Sequence, residues 1–335
     1  MADVLCLGEI LVDWVCTTQG AELDQAQTFT KAAGGAPANT AVGLSRQGVS
    51  VGFIGHVSAD AFGNCLKSIL ARDRIDTAAT ISDPEAQTRM AYVVTTATGD
   101  RKLAEFSRIA CADARLQAED LKVEQFSQAA VLHFGSISQI ENPARDATQR
   151  AIELARASDL LISYDPNVRL GLWPSPAECK DRILKTMSLV DLVKINEDEL
   201  LFLTGSKDHS FAEQLRKEHN LALLIITLDA RGAYIVTESG SRVVPGFSVK
   251  LVEATGAGDG FNSGVLAGLL PSIKPEKNRR QALAKMDLSQ LSEIVKRANA
   301  VGALTCTRAG AIPALPTTEE IAVFMGEMAA AAQGN

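Results

Sequence analysis

The sequence lacks the features of several protein classes. No apolar run approaches the length of a membrane span, and the first residues show no basic segment followed by an apolar core and a cleavage site. An excess of positive charge is also missing, since 33 Lys and Arg face 40 Asp and Glu for a net charge of -7. Binding nucleic acid over a long surface needs a basic face. The sequence therefore predicts a cytoplasmic protein with neither nucleic acid nor a membrane as its partner.

Cysteine and histidine are scarce and carry no metal-binding spacing. The six cysteines form no Cys-x-x-Cys pair, and the four histidines form no His-Glu-x-x-His motif. Scattered cysteines are typical of reduced, mostly buried thiols. We therefore expect free thiols and no site built from His and Cys.

What the sequence does contain is a regular alternation of strand-like and helix-like segments, clearest from residue 130 onward. Short apolar runs such as 131–134 and 223–228 alternate with helical patterns such as 143–157. This order predicts an α/β fold, a parallel sheet with helices on both faces. With 46% hydrophobic and 22% charged residues, the 335-residue chain can bury one large α/β core or two smaller ones.

Two strand-rich segments, 11–31 and 89–108, interrupt the alternation. In the second, 90–96 and 102–106 flank Thr98-Gly99-Asp100, which predicts a hairpin. Long inserts in compact domains are usually functional. We predict that both segments form a small β-sheet lid over a site, with ordinary surface hairpins as the alternative.

Polar clusters follow three predicted strands, beginning at Gly8, Asp165 and Asn196. In open parallel sheets, ligands bind beyond the carboxyl ends of the strands. The three clusters are therefore expected to face one crevice.

The segment 255–261 (TGAGDGF) precedes an apolar, helix-like run. Gly256 and Gly258 allow a sharp turn that exposes backbone N–H groups, and a helix starting there makes an anion site. Asp259 beside such a site suits a base that deprotonates a hydroxyl attacking a phosphoryl group. A glycine turn with a capping Asp is the alternative.

A second glycine turn, Gly34-Gly35, opens another helical pattern. Gly35 allows close approach of a ligand, and Asn39 offers a donor and an acceptor to sugar hydroxyls. Asp13, after an apolar run, can accept hydrogen bonds from two hydroxyls of a polyol. A plain helix start and a turn-capping Asp remain the alternatives.

Oxygen ligands and cations complete the candidates. Asn196 and Glu199 lie three apart, so on a helix they share a face that suits Mg²⁺ through its waters. Acidic residues that complement the dipole of a helix start explain the same pattern. Arg108 and Arg169 are candidate cations for a phosphate or a substrate oxygen, or ordinary surface arginines.

Together these motifs resemble the ribokinase-like (pfkB-type) carbohydrate kinases and, more narrowly, bacterial fructokinases. The resemblance implies one ribokinase-like domain over 1–335, a three-layer α/β/α fold with a mostly parallel sheet and a small β-sheet lid. Five segments carry the likeness, in the family's order over nearly the whole chain: 34–48, 165–173 (DPNVRLGLW), 194–199 (KINEDE), 255–261 and 298–316.

The resemblance also implies an activity, the ATP-dependent phosphorylation of D-fructose to fructose 6-phosphate. Asp259 would be the base, and the amides of Gly256, Ala257 and Gly258 would form the anion hole. It further implies sugar contacts from Asp13, Gly34, Gly35, Asn39, Arg108 and Arg169, nucleotide contacts from Asn196, Thr227, Gly256, Gly258 and Asn299, and Mg²⁺ organised by Asn196 and Glu199.

The sequence departs from the family pattern at three places. Glu253-Ala254 replaces the usual Asp-Thr beside a monovalent-cation site, which leaves K⁺ an open expectation. Asp229 replaces the glycine of a nucleotide-side Thr-Leu-Gly, and Ser107 precedes Arg108 where an aromatic residue is frequent.

Several alternatives stay open within and beyond the family. A 2-keto-3-deoxygluconate kinase, another ketose or ribose kinase, or a non-catalytic sugar or nucleotide sensor would fit the same motifs. A dinucleotide-binding oxidoreductase needs G-x-G-x-x-G after the first strand, whereas Gly8 is followed by Glu9-Ile10-Leu11. A monomer and a homodimer fit equally well.

Overall fold

A nine-stranded sheet forms the core of the protein, and a second sheet is smaller. The computed structural model, which contains both sheets, describes residues 2–97, 101–109 and 111–333. In chain order its strands are β1 (Val4–Leu7), β2 (Leu11–Cys16), β3 (Phe29–Gly34), β4 (Val51–Ser58), β5 (Thr80–Asp83), β6 (Met90–Thr95), β7 (Arg101–Phe106), β8 (Val131–Phe134), β9 (Leu161–Tyr164), β10 (Leu192–Asn196), β11 (Leu223–Thr227), β12 (Gly232–Thr237) and β13 (Gly240–Pro245). The large sheet has the order β13-β12-β11-β10-β9-β8-β1-β4-β5. Its pairs are parallel except for β11–β12 and β12–β13, as the sequence predicted.

Helices cover both faces of this sheet. They are α1 (Ala36–Arg46), α2 (Ala61–Arg72), α3 (Val123–Gln128), α4 (Ala144–Ala157), α5 (Pro176–Met187), α6 (Glu197–Thr204), α7 (His209–Glu218), α8 (Ala257–Ile273), α9 (Arg279–Ala284), α10 (Leu288–Thr305) and α11 (Thr318–Gln333). No helix among the described residues is long and apolar enough to cross a bilayer.

Strand periodicity explains the three layers. Successive side chains of a strand point to opposite faces, so Val4 and Cys6 join a cluster with α1, α8 and α10, while Leu5 and Leu7 join one with α4 to α7. All six cysteines are free, as expected from their spacing. The predicted three-layer α/β/α fold is therefore confirmed.

The small sheet has the order β3-β2-β6-β7 and forms the predicted lid. Strand β3 runs to Gly34, three residues beyond the predicted end of the first segment, because Leu11 pairs with Gly34 and Val12 with Ala33. The predicted turn 98–100 lies outside the described residues. Leu11, Ala91 and Phe106 pack together on the lid, which gives it a small core of its own.

The charged segment 274–280 predicts an exposed link between α8 and α10, and residues 274–278 are exposed. Helix α9, which the sequence pattern did not predict, begins directly after them. Asn278 accepts a hydrogen bond from the Gln281 N–H at 2.9 Å and so caps this helix, whose Leu283 is buried. Strand β5 and helix α11 also lie in segments where the sequence pattern predicted neither a strand nor a helix.

Candidate active site

A cavity of about 790 Å³ lies at the carboxyl ends of the central strands, beneath the lid. Glu9 follows β1, Asp165 follows β9 and Asn196 ends β10, and all three line it. Lid residues such as Leu11 and Phe106 line the opposite wall. The prediction that the three polar clusters share one crevice is confirmed.

The N-terminus of α8 opens into this cavity. Gly256 adopts a left-handed conformation (φ 81°) as the residue preceding the helix, and a Cβ there would come within 2.8 Å of Ala311. Glycine is therefore required for both its backbone angle and the close approach of the 310–312 segment. The positive end of the helix dipole and the first free amides point to where an anion can bind.

Asp259 lines the cavity in the first turn of α8. Its Oδ2 accepts a hydrogen bond from the Asn39 Nδ2 at 2.8 Å, which joins α8 to α1. Burial raises the pKa of Asp259 to about 6, with Asp165 raising it further and Asn39, Lys194 and Arg169 opposing the shift. The carboxylate is thus mainly ionised at neutral pH and close to the range in which a base both holds and releases a proton.

Lys194 and Asp165 form a buried ion pair beside Asp259. The sequence placed Asp165 in a polar cluster facing the crevice but assigned a role to neither residue. Lys194 Nζ lies 3.0 Å from Asp165 Oδ2, which also accepts from the Asn262 Nδ2 at 2.7 Å. Burial lowers the pKa of Lys194, but Asp165 and Glu199 raise it more, so the ammonium stays charged. A Cβ on Gly258 would lie 3.0 Å from this ammonium, which places a fixed cation under the glycine turn.

The second glycine turn lies on the opposite side of Asp259. Gly35 has φ 108° at the start of α1, where a Cβ would lie 2.5 Å from the Glu9 carbonyl oxygen. Asp13 lines the cavity, and Gly34 lies behind it, since a Cβ on Gly34 would overlap the Asp13 carboxylate. Asn39 Oδ1 is buried without a hydrogen-bond partner in the described part of the chain. Asp13, Gly35 and Asn39 thus all line the cavity, and their sugar contacts remain a prediction.

Of the remaining candidates, Arg169 lines the cavity, whereas Arg108, Thr227 and Asn299 lie outside its lining. Arg108 is exposed just after β7. Thr227 ends β11 beside Asn196 on β10, with its hydroxyl 3.4 Å from the Ile195 carbonyl oxygen. Asn299 donates to the carbonyls of Val244 and Pro245, so it ties α10 to β13. The predicted nucleotide contacts of Thr227 and Asn299 remain predictions.

Asn196 and Glu199 form a reciprocal cap at the start of α6. Asn196 Oδ1 accepts from the Glu199 N–H at 2.8 Å, and Glu199 Oε2 accepts from the Asn196 N–H at 2.9 Å. Glu199 Oε1 accepts from the Val168 N–H at 2.7 Å, so both carboxylate oxygens hold backbone amides.

No group of three or more His, Cys, Asp or Glu side chains suited to a metal occurs in the described ranges. The predicted role of Asn196 and Glu199 in organising Mg²⁺ remains a prediction.

The departures from the family pattern have local structural consequences. Glu253 is buried, and its Oε2 accepts from the Gly310 N–H at 2.7 Å, which joins the segment before the glycine turn to the chain after α10. Asp229 is exposed and takes the left-handed conformation (φ 51°) that a glycine would adopt without strain.

Comparison with known proteins agrees with this geometry. The chain is 41% identical to fructokinase-1 of Zea mays over 320 residues, 95% of this chain and 96% of the relative. A fructokinase from Xylella fastidiosa solved with bound ATP is similar with a TM-score of 0.87 at 29% identity, covering 98% of this chain and 100% of that one.

A fructokinase double mutant from Vibrio cholerae O395, solved with fructose, ADP and potassium, matches with a TM-score of 0.81 at 30% identity, covering 97% of this chain and 98% of that one. The sequence profile of the pfkB family carbohydrate kinases matches residues 1–318. Common ancestry thus accounts for the carboxylate of Asp259 at the N-terminus of α8, beneath the lid. The chain belongs to the pfkB family of carbohydrate kinases.

Proposed function

We propose that this protein phosphorylates D-fructose to fructose 6-phosphate with ATP, and that Asp259 is the catalytic base. The observation that carries the proposal is the position of Asp259, inside the cavity and at the N-terminus of α8, with Asn39 bonded to it. The similarity to fructokinases solved with ATP, or with fructose and ADP, supports the choice of substrates.

In this proposal the sugar lies between Asp259 and the lid. Asp13, Gly35 and Asn39 hold its hydroxyls, and the hydroxyl to be phosphorylated gives its proton to Asp259 as its oxygen attacks the γ-phosphorus of ATP. The bond between that phosphorus and the β–γ bridging oxygen breaks, and ADP is the leaving group. The amides of Gly256, Ala257 and Gly258 stabilise the charge of the transferring phosphoryl group. Lys194, beneath Gly258, adds a positive charge at the same place. The lid sheet limits access of water to the phosphoryl donor.

In this proposal the nucleotide and its Mg²⁺ lie on the other side of the glycine turn formed by Gly256 and Gly258. Asn196 and Thr227, at the ends of the neighbouring strands β10 and β11, would face the phosphates, with Asn299 nearby on α10. Mg²⁺ would neutralise phosphate charge, and Asn196 and Glu199 would orient its waters. Gly34 would act indirectly by leaving room for Asp13, while Arg108 and Arg169 would offer cations to substrate oxygens.

Two further statements belong to this proposal. We place the reaction in the cytoplasm, with the protein as a monomer or homodimer and without a nucleic-acid or membrane partner. The free thiols and the net charge of -7 support this.

We expect the K⁺ dependence of the activity to differ from that of relatives with Asp-Thr at these positions, because Glu253 already accepts a hydrogen bond from the Gly310 N–H.

The test is ADP release by the wild type and by Asp259→Asn, with fructose, ribose, glucose, mannose and 2-keto-3-deoxygluconate. We expect fructose to be preferred and the variant to bind sugar yet lose about a thousandfold or more in turnover, since it cannot take the proton or carry the charge. Asp181→Asn, on the exposed surface of α5, is the matched control. Near wild-type turnover by Asp259→Asn would show that the base assignment is wrong, and preference for another sugar would reassign the substrate.

A further inference from the structure

Glu9 is a buried carboxyl group in the cavity wall that the reaction scheme above does not use. It lies two residues after the end of β1 and is 2% exposed. Its Oε1 accepts a hydrogen bond from the Ala36 N–H at 3.0 Å, at the start of α1. Its Oε2 is buried and has no hydrogen-bond partner among the residues that the structure describes. A buried carboxyl oxygen without a partner is costly, and a ligand that fills the cavity can remove that cost.

The surroundings of Glu9 favour its protonated form. Burial raises the pKa of Glu9 to about 8; Asp113 and Asp259 raise it too, while its own amide and that of Ala36 lower it. Arg89 is a cation that interacts with this group, but its guanidinium is held by Asp113. Since Oε1 already accepts a backbone N–H, the proton belongs on Oε2. At neutral pH Glu9 is therefore a hydrogen-bond donor in the cavity wall.

Such a donor complements the acceptors at the sugar end of the cavity. Asp13 and Asp259 place carboxylate oxygens there, and Asn39 Oδ1 is a buried acceptor, while the Asn39 amide nitrogen already donates to Asp259. Each hydroxyl of a polyol gives one hydrogen bond and also accepts, so its oxygens can use a neutral donor beside the cations Arg169 and Lys194, which also line the cavity. A protonated Glu9 supplies the complementary group.

We propose that Glu9 is a further substrate-binding residue, which donates a hydrogen bond from Oε2 to a hydroxyl oxygen of the bound sugar. The proposal rests on the sugar-kinase function above and adds a contact to that site. Its competitor is a purely structural role, in which Glu9 only fixes the first turn of α1 through Oε1.

The test compares wild type, Glu9→Ala and Glu9→Gln with fructose and with 1-deoxy-, 3-deoxy- and 4-deoxy-D-fructose. We expect Glu9→Ala to weaken fructose binding about tenfold, the effect of one buried hydrogen bond, with the KM for ATP changed less than about twofold. Wild type and Glu9→Ala should bind the one deoxy sugar that lacks the contacted hydroxyl equally well, because the substitution and the analogue then remove the same interaction. Equal penalties with all four sugars would overturn the proposal in favour of the structural role.

Glu9→Gln keeps the test valid if Glu9→Ala does not fold. The amide reproduces the pattern of one acceptor and one donor, so fructose affinity at pH 7 should stay within about threefold of wild type. Above pH about 8 wild-type affinity should fall as Glu9 ionises, whereas that of Glu9→Gln should stay flat. The charged groups that act on Glu9 include Asp113, Asp259 and Arg89, and Asp13 lines the same cavity. A parallel fall in both proteins would assign the effect to a group other than Glu9 and overturn the proposal.

Two controls separate this proposal from the proposed function. Glu153→Ala, on the exposed face of α4, should change no sugar constant. If the wild type does not phosphorylate fructose at all, the function above fails whatever the variants do. If it does, and Glu9→Ala binds fructose as tightly as wild type, only the role of Glu9 is wrong.

Discussion

At the scale of single residues, Asp259 shows how burial and a hydrogen bond set the strength of a base. Burial opposes ionisation and Asn39 supports it, leaving the pKa near 6. A base acts only when ionised, so kcat/KM should be constant near pH 7 and fall below pH about 6, approaching tenfold per pH unit. The measurement is kcat/KM for fructose between pH 5 and 8 at saturating ATP and Mg²⁺.

The Asn39→Ala variant tests the cause of this value. Because the hydrogen bond from Asn39 lowers the pKa of Asp259, its loss should move the acid limb of the profile to higher pH. Loss of the sugar contact of Asn39 is expected to raise the KM for fructose as well. A change in KM alone leaves the acid limb of the pH profile in place. A limb that does not move in this variant contradicts the assignment to Asp259.

The sequence identified some residues of the site and missed others for a physical reason. Gly256 and Asp259 were identifiable because a glycine turn before a helix has a recognisable local pattern. Lys194 and Glu9 stand within or beside apolar strands, and their significance depends on partners such as Asp165, 29 positions from Lys194. Such burial is set by tertiary contacts, which a local pattern does not contain. A charged residue inside an otherwise apolar strand was the available signal.

At the scale of secondary-structure elements, Asp191 joins β9, α4 and α9 at the edge of the sheet opposite the cavity. Its side chain is fully buried, and it accepts from the Ile162 N–H, from Arg156 and from Arg280, each at 2.9 Å. This contact explains why α9 packs against the main body directly after the exposed link 274–278. The charges around 274–280 indicate a solvated link, but a local charge pattern does not show that Arg280 meets a buried partner distant in sequence.

Asp191→Asn should therefore destabilise the protein. The amide loses the charge that holds two arginines, and its NH₂ group cannot accept from Ile162, so we expect a loss of about 2–4 kcal/mol in the free energy of unfolding. Urea unfolding measures it. Asp181→Asn, which breaks only an exposed pair with Lys185, should cost less than about 0.5 kcal/mol. Equal losses in the two variants would mean that Asp191 has no special structural role.

At the scale of the whole molecule, a buried ion pair joins the lid to the main body. Arg89 immediately precedes β6, and its Nε lies 2.7 Å from Asp113 Oδ2 in the main body. Its Nη1 donates to the Ser107 carbonyl just after β7 at 3.1 Å, so one side chain holds the base of two lid strands. The sequence predicted the lid because its strands interrupt the βα order, but this anchor combines residues from three separate segments.

Removing the anion from this anchor should affect both stability and substrate binding. Asp113→Asn leaves the Arg89 guanidinium buried without its counter-charge, which should cost about 3 kcal/mol or more in the free energy of unfolding. Because lid residues Asp13 and Phe106 line the cavity, a loosened lid base should also raise the KM for fructose. Urea unfolding and steady-state kinetics measure the two effects.

The matched control is Glu85→Gln, since Glu85 pairs with Arg115 at the exposed surface and that pair is worth less than about 1 kcal/mol. If Asp113→Asn lowers stability but leaves the KM for fructose unchanged, the anchor holds the fold without positioning the lid. If both change while the KM for ATP does not, the lid is positioned from its base, and Arg89 and Asp113 set the geometry of the sugar end of the cavity from outside it.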